Sequence, residues 1–124
     1  EQKNSLAVCL DNILRHAGIT RNTEYDLAQG KTATTILSEN MTGVQVLDLS
    51  GCTLDAVLYY VNQDIPVLAI LEDGEAVLVT GFNEFNVVIM EPATGKLYKK
   101  GMNDATAWFA ENGNHFITYM RTEN

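Results

Sequence analysis

Basic residues are scarce in this chain: eight Lys and Arg stand against sixteen Asp and Glu, for a formal net charge of −8. The few cations are scattered, so the chain offers no cationic track to a phosphate backbone, and nucleic acid is excluded as a partner. Long apolar runs are missing as well. None approaches the roughly 20 residues needed to cross a bilayer, so the chain carries no membrane span. No basic start followed by an apolar core marks a secretion signal. The opening "EQKNSLAVCL" runs directly into helix-like sequence, which leads us to expect a domain excised from a longer protein. Cysteine is limited to Cys9 and Cys52, and no second Cys/His pair follows at ligand spacing, so no metal site is supported and no cofactor is expected. The two cysteines could form one disulfide in an oxidising compartment or remain small buried apolar residues. The triplet "NMT" at 40–42 has the form of a glycosylation acceptor, but such triplets are common by chance.

What is present is enough for one core. With 124 residues, 46% of them apolar, residues 1–124 form a single domain that needs no staples. Residues 5–17, "SLAVCLDNILRHA", place Leu6, Cys9, Leu10, Ile13, Leu14 and Ala17 on one helical stripe. Asp11 and Arg15 fall on the opposite face, and Gly18 stands where a helix end favours it. Two brief helices are expected near 23–29 and 32–38, then a short strand at 44–49. A second amphipathic helix follows in "TLDAVLYYVNQ", with Thr53 as N-cap and Asp55 in the first turn. Beyond it the period changes to that of strands: "IPVLAIL", "AVLVTGF", "NVVIM" and "KLYKK" alternate with turn material and read as an antiparallel meander. A helix near 103–111 and a last strand "HFITYM" complete the chain. The fold class is α+β, N-terminal helices on a C-terminal antiparallel sheet, with the helices expected on one face of it. Tyr59 and Tyr60 adjoin on a helix, so both cannot join its stripe, and Trp108 and Phe109 read as core anchors in preference to a ligand platform.

The order of elements and the local wording resemble a family: the bacteriocin-processing type of papain-like cysteine peptidase, cysteine peptidase family 39. "NSLAVCLDNILRHAGI" matches the family's central helix in length and apolar spacing, and "DIPVLAI", "GEAVLVTGF" and "MEPATGK" match its later strands. The likeness covers nearly the whole chain, is most specific over residues 53–98 and is weakest between 20 and 50. It implies a papain-like fold. It also implies positions for the catalytic groups, and this sequence departs from the family at the three that fall within it. The family's nucleophilic cysteine falls on Ser5, its general-base histidine on Glu75, and the aspartate that orients the histidine on Glu91. The glutamine of the family's oxyanion hole lies upstream of the nucleophile by more residues than precede Ser5.

These departures remove the usual chemistry. A cysteine peptidase needs an imidazole to stabilise its thiolate and then to protonate the leaving amine. Serine is a far weaker acid, and a carboxylate with a pKa of about 4 is a poor base near neutral pH. A Ser/Glu/acid constellation acting at low pH would need a further acidic group at the oxyanion, which nothing in the sequence identifies. Cys9 is the alternative nucleophile, in a shifted register. Its place within the apolar stripe points the sulfur to the core, where a thiol is inert. His16 is seven positions on, about 10.5 Å of helical rise, too far for direct proton transfer. His115, after "NGN", reads as a turn or surface residue. The expectation is a pseudo-peptidase: a peptide- or cell-wall-binding or structural module of a bacterial surface protein, extracellular in a Gram-positive organism. The alternative is an active cysteine peptidase working through Cys9. The sequence leaves the oligomeric state open.

Overall fold

The computed structural model describes residues 4–122. Three helices come first: α1 (Ser5–His16), α2 (Thr23–Ala28) and α3 (Ala33–Asn40). Strand β1 (Val44–Asp48) and helix α4 (Leu54–Val61) lead into β2 (Val67–Ile70), β3 (Ala76–Phe82), β4 (Asn86–Glu91) and β5 (Lys96–Gly101). Helix α5 (Met102–Glu111) and strand β6 (Phe116–Arg121) follow. Every expected element is present. Local chemistry sets their ends. Asn4 Oδ1 accepts the backbone N–H groups of Leu6 and Ala7 at 2.9 and 3.3 Å, which satisfies donors that the first turn of α1 leaves unpaired. At its other end Gly18 takes φ +85°, and the N–H groups of Gly18 and Ile19 return to the carbonyls of Arg15 and Leu14 at 2.9 and 2.8 Å. That is the left-handed exit glycine makes possible. Thr53 caps α4 as expected, its Oγ1 accepting from Ala56 N–H at 3.3 Å.

The six strands form one antiparallel sheet in the order β1-β6-β2-β3-β4-β5. The meander β2 to β5 is as expected, whereas β6 returns to lie between β1 and β2. The sheet is covered on both faces, which corrects the single-face layering. On one side Leu10, Ile13 and Leu14 of α1, with Ile36 and Leu37 of α3, pack against Leu68, Leu78, Met90 and Ile117. On the other side Val57 and Leu58 of α4 and Phe109 of α5 meet Val67, Val77, Val79, Ile89 and Phe116. Successive side chains of a strand point to opposite faces, so two-sided burial requires apolar residues at every position. The continuous runs "VLAI" and "AVLV" meet that requirement. The outer strand β5 is mostly exposed and carries three lysines, Lys96, Lys99 and Lys100, which oppose pairing of this edge with another chain.

One expected solvent-facing residue is buried. Asp11, assigned to the polar face of α1, lies under the start of α2. Its Oδ1 accepts the Thr23 backbone N–H at 2.8 Å and the Thr23 hydroxyl at 2.7 Å. Periodicity places a residue on a helix face but cannot show that a later short helix covers that face. Of the tyrosine pair, Tyr60 packs against both cores and Tyr59 is exposed.

Candidate functional site

The end of the sheet that carries the β2–β3 and β4–β5 turns meets the N-terminus of α1. There a cleft of about 540 Å³ opens, with walls from Ser5 and Val8 of α1, Asp73, Glu75 and Ala76 around the first turn, Glu91 and Pro92 at the second, Tyr98 of β5 and Trp108 of α5. Short-range bonds hold these residues. Ser5 Oγ accepts the Ala76 backbone N–H at 2.9 Å, which ties the first residue of α1 to the first residue of β3. Gly74 takes φ +86° in the Asp-Gly turn, and Asp73 Oδ1 accepts the Glu75 N–H at 2.9 Å. That bond fixes the backbone from which Glu75 projects, with its side chain exposed. Glu91 closes β4: its Oε1 accepts the Ala93 N–H at 2.8 Å and its carbonyl the Gly95 N–H at 2.7 Å. Ser5, Glu75 and Glu91, the first and last of them 86 residues apart in the chain, thus line one cleft.

Cys9 does not reach that cleft. One helical turn below Ser5, it is fully buried among Leu10, Ile13 and their neighbours. Burial, and secondarily the negative charge of Glu91, pushes its thiol up to about 12. Cys52, its only partner for a disulfide, is also a free thiol, so the disulfide is not formed. The histidines lie elsewhere. His16 closes the far end of α1, about 16 Å of helical rise from Ser5, and its Nε2 donates to the Asp64 carbonyl at 3.1 Å. His115 precedes β6 and is near enough to Asp48 to help hold that carboxyl below its usual range, after the two hydrogen bonds from Ser50. Neither histidine is among the residues that line the cleft.

Sequence reasoning did not assign Asp73, Tyr98 or Trp108 to the site. Tyr98 lies in the "KLYKK" strand, with burial and the Glu91 charge both raising its phenol. Trp108, expected as a core anchor beside Phe109, does contact the core, but it also lines the cleft, with the Lys100 ammonium 4.7 Å from its ring centre. Helical spacing alone does not reveal that α5 ends beside the β4–β5 turn. Among the described residues no cluster of His, Cys, Asp and Glu is arranged to hold a metal ion, and no helix is long and apolar enough to cross a membrane.

These helices and this six-stranded antiparallel sheet make a papain-like α+β fold, the class that the resemblance implied. No protein-family model and no curated protein matches the sequence. The chain does match the crystal structure of a candidate C39-like peptidase from Bacillus anthracis, with a TM-score of 0.79 over 100% of this chain and 92% of that one. At 14% identity that likeness is one of fold.

Proposed function

We propose that this chain is a non-catalytic, pseudo-peptidase form of the papain-like domain. It serves as a peptide- or cell-wall-binding or structural module of a bacterial surface protein. One observation carries the reading: among the described residues, the cleft at the N-terminus of α1 presents Ser5, Glu75 and Glu91, with neither a thiol nor an imidazole on its walls. In the family that the sequence resembles, those three positions hold the nucleophile, the base and the acid that orients the base. A serine hydroxyl beside carboxylates lacks a base matched to it near neutral pH, and thiolate chemistry has no sulfur there to use. The rival, an active peptidase using Cys9, requires an exposed sulfur next to a histidine; the buried thiol and distant His16 count against it.

The test is a cleavage assay on the full chain with a diverse peptide mixture and with cell-wall stem peptides, read by mass spectrometry from about pH 4 to pH 8. No new termini are expected. Turnover abolished by Cys9→Ala would restore the active-peptidase reading, and turnover abolished by Ser5→Ala would establish serine chemistry in the cleft. Either result overturns the proposal.

A further inference from the structure

The cleft's walls have a chemistry of their own. Asp73, Glu75 and Glu91 contribute three carboxylates, and among the described residues no lysine, arginine or histidine lines it. Tyr98 adds an aromatic face, and Val8 and Leu71 add apolar surface. The volume, about 540 Å³, is within the range of sites that enclose a small ligand. Two described cations are paired away from the cleft, and two others stand beside its wall residues without lining it. Arg21 and Lys31 are engaged with Asp26 and Glu39. Lys100 sits over the Trp108 ring, and Lys96, opposite Glu91 in the β4–β5 ladder, is not a wall residue. The field of Glu91 reaches both Tyr98 and the buried Cys9. The N-terminus of α1 opposes it with about half a positive charge, and three carboxylates outweigh that. An anionic or neutral occupant would leave these carboxylates uncompensated, whereas an ammonium or guanidinium pairs with them and gains from the aromatic face.

We infer that the cleft selects a cationic side chain: its occupant is an extended peptide that presents a lysine or arginine to Asp73, Glu75 and Glu91 and lays the aliphatic stem along Val8, Leu71 and Tyr98. The inference rests on the proposed binding role and names the class of ligand. The single tryptophan of the sequence, Trp108, lines the same cleft and supplies the readout.

The experiment is a Trp108 fluorescence titration of the full chain with acetylated, amidated hexapeptides that differ at one central position: lysine, arginine, norleucine or glutamate. Lysine and arginine peptides are expected to bind at least about fivefold tighter than norleucine, and glutamate weakest, with the preference shrinking as salt is raised. Glu75→Gln with Glu91→Gln should abolish the preference; Glu84→Gln, in the turn at the other end of the sheet, should preserve it. Saturable norleucine binding as tight as that of lysine overturns the charge selection and leaves the binding cleft standing. No saturable change with any peptide overturns both the inference and the peptide-binding role. Loss of the preference in Glu84→Gln alone would move the cation site away from this cleft and overturn the assignment.

Discussion

The burial of Cys9 has a chemical consequence that can be measured directly. Thiol-specific reagents attack the thiolate, so at a given pH their rate follows the ionised fraction. With the thiol pushed from 9.0 up to about 12, the thiolate fraction at pH 7.5 falls about a thousandfold below that of an unperturbed cysteine. The closed packing around the sulfur slows attack further, since the residue has 0% of its surface exposed. The assay is pulse alkylation with iodoacetamide followed by peptide mass spectrometry, which reads Cys9 and Cys52 separately in the same molecules. Cys9 should be modified at least about a thousandfold more slowly than a free thiol at pH 7.5. Its rate should keep rising about tenfold per pH unit past the point where an ordinary thiol levels off, for as long as the protein stays folded. Modest urea should accelerate it, because the remaining route is transient opening of the core. Cys9 labelling at the free-thiol rate near neutral pH, without denaturant, would refute the reasoning and revive its candidacy as a nucleophile.

Two further outcomes test the N-terminal helical frame. The Asp26 carboxyl is held below its usual range chiefly by its hydrogen bonds with Arg21. The folded value therefore lies beneath the unfolded one, so this stabilisation is complete above about pH 4 and is lost as pH falls through the folded value; urea midpoints across that window should show a steeper acid limb in the native chain than in Asp26→Asn, and identical limbs would count against it. Asn4→Ala removes the acceptor for two first-turn N–H groups and should cost about 1 kcal/mol in urea unfolding, where no measurable loss would mean that the cap contributes nothing.

Much of this architecture was legible in the amino acids, because it depends on short-range rules. The stripe from Leu6 to Leu14, the exit at Gly18, the cap at Thr53 and the Asp-Gly turn each reflect preferences of a few adjacent residues. What depends on distant segments meeting was less so. The uninterrupted apolar runs of β2 and β3 contained the signal for a doubly covered sheet, yet the order of elements suggested one face, since α4 and α5 flank the meander without a pattern that assigns their side. Asp11 had the spacing of a surface residue and acquired a buried role through contacts that include Thr23, twelve residues on. For the cleft, Ser5, Glu75 and Glu91 were found through resemblance, which carries positional information that charge and periodicity lack. Asp73, Tyr98 and Trp108 had no such guide, because what makes them neighbours of Ser5 is the closeness of two turns and a helix end.

The position of β6 bears on how the molecule is made. It pairs with β1 from Val44 to Asp48 on one side and with β2 at Leu68 and Ala69 on the other, yet among the described residues it follows all the other elements. During synthesis the N-terminal helices with β1 and the meander with α4 can each gather apolar surface, but they cannot share a sheet until the strand ending at Arg121 has left the ribosome. The slow, long-range closure is thereby deferred until the last strand of this fold has emerged. A nascent chain stalled before Phe116 would expose the edges of both β1 and β2, the state in which this protein is most open to chaperones and to aggregation.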